Sequence, residues 1–169
     1  MYAINRIPSH WVKLVLSELS IKQRITGNAK MVKRTKYDAV FSDLIRERVN
    51  YTCEYSGEYI PEGYRQSCHC AHIHGRKNQS TRYDPDNAVC LSAKWHYYFT
   101  DHPTEFTYWL EEYLGEGHLE ILREKARGIK KWMKGEKEDM YKHYRSELKR
   151  LRKERDNGNT GRIEFDGWT

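Results

Sequence analysis

The segment that most constrains the fold mixes apolar residues with cysteine and histidine and is followed by a polar loop. Residues Cys68–His74 alternate as a β-strand does, and Gly75 to Asp86 are polar and rich in turn-forming residues. We expect a helix in the segment that Asn87 opens, which would place His96 about two and a half helical turns further on. A strand, a loop and a helix bring residues distant in sequence together, so the segment predicts a small mixed α and β structure.

Three polar side chains near the end of this predicted strand suit the hydrolysis of a phosphodiester bond. Such hydrolysis needs a base for the attacking water, positive charge beside the phosphate and help for the leaving oxygen. His72 is the candidate base, because the imidazole pKa lies near neutrality, and His74 is the alternative on the same predicted strand face. Arg76 is a candidate phosphate contact, with a structural ion pair as its alternative role.

His96 and Asn87 are candidate ligands for a divalent metal ion. A few neutral nitrogen and oxygen donors leave the cation partly hydrated, which suits Mg²⁺ or Mn²⁺. Two roles stay open for Asn87, because an amide side chain also ties loops together through hydrogen bonds to the backbone. We assign Asp84 and Asp86 to the turn around Pro85 rather than to a metal site.

These residues resemble the motif of the His-Asn-His (HNH) endonucleases, in which a histidine ends the first strand, an asparagine follows and a helix carries a metal-binding histidine. Here those positions are His72, Asn87 and His96. The runs YDAVFSDLIRERVNYTCEYSG, AHIHGR and RYDPDNAVC are also similar to the NinG or Rap recombination nucleases of bacteriophages, over residues 37–153. The resemblance implies an α+β fold with a small ββα-metal (His-Me finger) core flanked by N- and C-terminal helices.

The same resemblance implies an activity, cofactors and partners. The activity is metal-dependent hydrolysis of DNA by an endonuclease directed by DNA structure to branched or single-strand-containing recombination intermediates. The cofactor is Mg²⁺ or Mn²⁺, and the partner is branched, D-loop or duplex DNA, with a homodimer and a recombinase as further partners. We expect no membrane partner and a place in the cytoplasm of the phage-infected host cell, because the chain shows neither a long apolar run nor a signal peptide.

The cysteines depart from the pattern of that family, which braces its motif with two C-x₂-C pairs around zinc. Cys53 keeps its place, but Ser56 stands at the second position of that pair, and Ser92 and Trp95 occupy both positions of the other. We therefore expect no structural zinc. We expect the cysteines to be packed, reduced thiols. The alternatives are a metal site regrouped from some of them or two disulfides. The four cysteines are Cys53, Cys68, Cys70 and Cys90.

A second departure concerns the residue just before the candidate base. Many HNH enzymes carry an aspartate or histidine ligand there, whereas this chain has Ala71. The metal site is then weak, uses extra water or recruits His74 or Asp84. The departures favour an alternative from another class, a non-catalytic DNA-binding recombination accessory protein with a decayed nuclease motif. A sequence-specific restriction or homing nuclease would need a base-reading element, and no segment is typical of one.

Basic residues indicate a polyanionic partner, because thirty Lys and Arg face twenty-four Asp and Glu, a net charge of +6. The run Met140–Arg155 predicts a long basic amphipathic helix, either a solvated face or a contact to duplex backbone. We divide the chain into an N-terminal helix and basic linker (1–36), a nuclease core with its leading helix (37–101), a basic helical region (102–156) and a mobile tail (157–169). The candidate DNA-binding residues are Lys77, Arg82, Lys149, Arg152 and Lys153.

Overall fold

A helix with a complete N-terminal cap leads into the centre of the structure. The computed structural model describes residues 32–115 and 117–168, and the N-terminal helix and most of the linker predicted within 1–36 lie outside the described residues. Helix α1 spans Lys36–Arg48, and Thr35 and Asp38 form a reciprocal capping box at its start. Its apolar residues fall three and four apart and are buried, which confirms the predicted helix: Val40, Phe41, Leu44 and Ile45.

Two short antiparallel strands form the only sheet of the described residues. Strand β1 spans Cys68–His72 and strand β2 spans Ala88–Ser92, with Cys70 opposite Cys90 and His72 opposite Ala88. The strand is shorter than predicted, because His74 lies beyond its end. The prediction of a helix directly after Asn87 is wrong. Residues 88–92, which are apolar except for the last, are buried throughout and form strand β2, and the helix begins only after them.

Helices follow the second strand and complete a mixed α+β structure. Helix α2 spans Ala93–Asp101, α3 spans Pro103–Leu114, α4 spans His118–Arg127 and α5 spans Glu136–Asp156. Helix α3 has Pro103 at its first position, and α3 and α4 fall within the region predicted to be helical. Helix α5 begins earlier than predicted but buries the expected face, which consists of Met140, Tyr144, Leu148 and Leu151.

The hairpin separates two clusters of buried apolar residues. Cys68, Ala88 and Cys90 face the cluster built by α1, α5 and the C-terminal segment. Ala71 and the apolar residues of β2 that alternate with Ala88 and Cys90 face the other cluster, with α2, α3 and α4. Side chains that neighbour each other along β1 therefore face different surroundings. Among the described residues, no helix combines the length and the apolar character that a bilayer crossing demands.

Residues 163–168 of the segment predicted as a mobile tail pack on the body of the structure. Phe165 is buried, and the Ile163 N–H donates to the Arg48 carbonyl over 2.8 Å. The Trp168 N–H donates to the hydroxyl of Tyr144 over 3.1 Å. Burial of one large aromatic side chain together with these backbone bonds offsets the entropy of ordering a polar segment.

Candidate functional site

Asn87 fastens the loop between the strands from inside. Its side chain is fully buried, and its Oδ1 accepts from the His74 N–H over 2.7 Å. Its Nδ2 donates to the carbonyls of His74 and Thr81, both over 2.9 Å. Both amide hydrogens and one oxygen lone pair are thus used on backbone groups. Of the two roles left open by the sequence, these contacts favour the loop tie over a metal ligand.

His72 ends strand β1 with its imidazole on the α1 side. The ring packs against Phe41 with centroids 5.8 Å apart, and Nε2 lies 3.0 Å from the carbonyl of Arg82. Because a carbonyl only accepts, Nε2 carries the hydrogen, and Nδ1 holds the lone pair of the neutral ring. Burial lowers the pKa of His72, so the ring is neutral at pH 7. This tautomer and charge state are those that a general base needs.

Arg82, which presents its carbonyl to His72, has its own side chain committed to the core. Its Nε and Nη2 donate to both carboxylate oxygens of Asp38, over 2.8 and 2.7 Å, and both residues are buried. Arg82 is therefore not available to DNA, which corrects its place among the candidate DNA-binding residues. A planar guanidinium gripping a carboxylate at two points holds the loop against α1 and fixes the carbonyl that orients His72.

His69, which was not among the predicted site residues, lies beside His96. His69 is on β1, His96 is on α2, and their ring centroids are 4.7 Å apart. The His69 Nε2 lies 2.9 Å from the Gln66 carbonyl, so this nitrogen carries the hydrogen and Nδ1 holds the lone pair. The Nδ1 of His96 is buried without a hydrogen-bond partner. The two rings are thus in contact, and the described residues leave this buried nitrogen of His96 without a partner.

The alternation of side chains along a strand is the sequence signal that could have identified His69. His69 and Ala71 share one face of β1, so His69 lies two residues before the position at which many HNH enzymes carry a ligand, on the same face. The same alternation separates the candidate base from this pair, because His72 faces α1. Among residues 32–115 and 117–168, no group of three or more His, Cys, Asp or Glu side chains is arranged around a common point.

The positive charge of Arg76 acts on both His72 and His96. Burial is the main cause of the lowered pKa of both His72 and His96, and the positive charge of Arg76 lowers both further. Within the described residues no carboxylate pairs with Arg76, whose carbonyl accepts from Gln79.

The other residues considered for the metal site have separate roles. His74 lies outside the strand with its backbone held by Asn87, and burial together with the charge of Arg123 lowers the pKa of its imidazole. Asp84 caps the turn by accepting from the Asp86 N–H over 3.0 Å, and it pairs with Lys125, also at 3.0 Å. The turn role expected for Asp84 is therefore observed.

Aromatic packing occupies the place where the resembled family has its zinc knuckle. The four cysteines are free thiols, and the sulfur atoms of Cys68 and Cys90 lie 3.0 Å apart. The rings of Tyr55 and Trp95 have centroids 4.4 Å apart, which joins the segment after Cys53 to helix α2. Apolar contacts thus hold the two segments that the paired cysteines would otherwise join.

The remaining candidate DNA contacts lie at the surface. Lys77, in the loop after β1, is exposed. On α5, Lys149 and Lys153 are exposed, and Arg152 is exposed but pairs with Glu47 at 3.0 Å. A comparison with protein-family models, with curated proteins and with solved structures finds no match to this chain.

Proposed function

We propose that the protein is a metal-dependent DNA endonuclease with a ββα-metal core, in which His72 activates the attacking water. The observation that carries the proposal is the pair His69 and His96, whose rings are in contact and whose His96 Nδ1 is buried without a hydrogen-bond partner. The element order of two antiparallel strands followed by a helix supports it. In this reading β1, β2 and α2 form the core.

Each residue then has one chemical task. The Nδ1 of His72 accepts a proton from water while the Arg82 carbonyl keeps the ring in the required tautomer, a task worth about 10² to 10⁴ in rate. Arg76 binds a non-bridging phosphate oxygen. His69 and His96 would hold the divalent ion, which supplies charge stabilisation at the phosphate and the leaving oxygen. Asn87 maintains the loop and takes no direct part.

The donor set favours Mn²⁺ over Mg²⁺. Imidazole nitrogens suit first-row transition metals, whereas Mg²⁺ prefers oxygen ligands. We therefore expect cleavage to saturate at a lower concentration of Mn²⁺ than of Mg²⁺.

The test is cleavage of labelled branched, D-loop and matched duplex DNA in Mn²⁺, Mg²⁺ or EDTA. Wild type should cut only with metal, and His96→Ala should reduce both cleavage and Mn²⁺ binding by at least tenfold. His102→Ala is the matched control, because His102 is an exposed histidine at the end of the same helix, bonded to the carbonyl of Tyr98. Metal-independent cleavage, or full activity in His96→Ala, would contradict the proposal.

A second candidate function rests on the small number of ligands. Two imidazoles without a nearby carboxylate suit a weak metal site, which favours the non-catalytic DNA-binding accessory protein. This candidate predicts salt-dependent DNA binding by wild type with no cleavage in either metal. The same set of reactions therefore separates the two functions.

A further inference from the structure

The loop between α4 and α5, residues 128–135, exposes two large apolar side chains. Ile129 is 89% exposed and Met133 is 78% exposed, more than any other large apolar side chain of the described residues. Single exposed apolar residues are ordinary on protein surfaces. Here two of them lie four residues apart in one loop, among lysines.

The loop is braced, so this exposure does not reflect a lack of contacts. The Trp132 ring packs against Tyr83 with centroids 5.7 Å apart. The Met133 N–H donates to Glu136 over 2.8 Å, and Lys130 pairs with the same carboxylate at 2.5 Å. The apolar side chains on either side of Trp132 are therefore held outward by a fixed backbone.

Positive charge surrounds the two apolar side chains. Lys131 and Lys134 are exposed, and no carboxylate of the described residues forms an ion pair with either. The ammonium groups of Lys130 and Lys137 lie 4.9 and 5.3 Å from the centre of the Trp132 ring. The surface is thus apolar at two points and cationic around them.

The end of helix α4, just before the loop, is attached to the segment that carries Arg76. The side chains of Asn78 and Ser80 donate to the carbonyls of Ala126 and Lys125, both over 2.7 Å, at the end of α4. Both donors belong to the segment between β1 and β2, which also holds Arg76. A partner bound at one of these surfaces would lie close to the other.

We propose that Ile129 and Met133 form a wedge that enters DNA at a branch point and unstacks a base step, while the surrounding lysines hold phosphates. The inference rests on the proposed function for the identity of the partner. Proteins that bend or open DNA insert one or two apolar side chains of this kind between bases, and lysines beside them neutralise phosphates. A membrane-binding segment instead needs a wider apolar face than two side chains provide. Branch points are already partly unstacked, so the wedge would favour them over duplex.

The experiment places 2-aminopurine at the branch of a three-way junction and in a matched duplex, in EDTA so that no cleavage occurs. Wild type at saturation should raise the fluorescence of the junction probe. The double variant Ile129→Ser and Met133→Ser should lose most of this rise and bind the junction about tenfold more weakly, with duplex affinity unchanged. Thermal melts check that the variants are folded, which we expect because both replaced side chains are exposed to solvent.

Two controls separate the wedge from general effects. Ile121→Ser removes an exposed apolar side chain from α4, 59% exposed, and should leave the fluorescence rise intact. Lys131→Ser with Lys134→Ser should weaken binding to every DNA and flatten its salt dependence, yet keep the rise at saturation.

Three results would overturn the wedge. They are a full fluorescence rise in the double variant, a wild type that binds the junction without a fluorescence rise, and a wild type that binds no DNA. Binding to phosphatidylserine vesicles that requires Ile129 and Met133, with no fluorescence rise, would assign the loop to a membrane instead. Cleavage is scored separately in Mn²⁺. A wild type that does not cut but shows a wedge-dependent rise refutes the nuclease alone, and a cutting wild type whose wedge variant keeps the rise refutes the wedge alone.

Discussion

Replacing Asn87 by Asp distinguishes a loop tie from a metal ligand with a nearly isosteric change. An aspartate keeps the oxygen that accepts from the His74 N–H but loses the two Nδ2 hydrogens that serve the carbonyls of His74 and Thr81. A metal ligand would tolerate this change, since a carboxylate binds Mn²⁺ or Mg²⁺ at least as well as an amide oxygen. A loop tie would not.

The cost follows from the groups left without partners. Only the His74 carbonyl loses its donor, because the Thr81 carbonyl also accepts from the Asp84 N–H over 3.1 Å, and a buried acceptor without a donor costs about 1–3 kcal/mol. The aspartate also places a negative charge beside both carbonyl oxygens, and we therefore expect a total loss of about 3 kcal/mol in the free energy of unfolding. The loss should shrink at low pH, because a protonated carboxyl regains one donor and no longer repels the carbonyls.

Urea unfolding followed by circular dichroism, with and without Mn²⁺, measures this loss. Asn157→Asp is the control, because Asn157 is exposed at the end of α5 and its change should cost less than about 1 kcal/mol. An Asn87→Asp protein as stable as wild type, with equal or tighter Mn²⁺ binding, would refute the loop tie and restore Asn87 as a ligand.

Three further predictions concern the packing around the site. Arg82→Met leaves the buried Asp38 carboxylate without its ion-pair partner and should cost about 3–5 kcal/mol in the free energy of unfolding, measured by thermal melts. The control is Lys77→Met at an exposed position, which should change stability by no more than about 0.5 kcal/mol. An equally small cost for Arg82→Met would contradict the ion pair. Burial raises the pKa of the Asp38 carboxyl, but its hydrogen bonds to Arg82 and Thr35 outweigh burial and lower this pKa. The stability that the ionised carboxylate contributes should therefore be lost as the pH falls below about 4. A stability difference between wild type and Asp38→Asn that does not change with pH would refute this prediction. Phe165→Ala should cost about 3–5 kcal/mol in urea unfolding if the tail is packed, and almost nothing if it is mobile.

Local patterns predicted the helices well because each depends on nearby residues. The apolar spacing of α1 and the buried face of α5 are properties of a few turns, and both are observed. Strand β2 was not recognised from its own residues, because a five-residue apolar run has no period that separates a strand from a buried helix. Its partner in the hairpin decides the outcome, and that contact is distant in sequence.

The candidate site shows the same division. His72, His96 and Arg76 were predicted from order and spacing, and the structure gives them compatible surroundings. Arg82 was misassigned because its partner Asp38 lies 44 residues earlier, and charge alone does not tell a buried arginine from an exposed one. His69 was overlooked because only the register of β1 places it on the face that meets α2. Tertiary contacts decide each of these cases.

The central claim is that this chain cuts DNA with His72 as the base, and the most direct test compares wild type with His72→Ala on a labelled Holliday junction. Cleavage and binding are measured in parallel with Mn²⁺, Mg²⁺ or EDTA. We predict metal-dependent cleavage by wild type, with 5′-phosphate and 3′-hydroxyl ends, and a loss of about 10² to 10⁴ in rate in His72→Ala with unchanged binding. Equal cleavage by the two proteins, or no cleavage by wild type in either metal while binding persists, would contradict the claim.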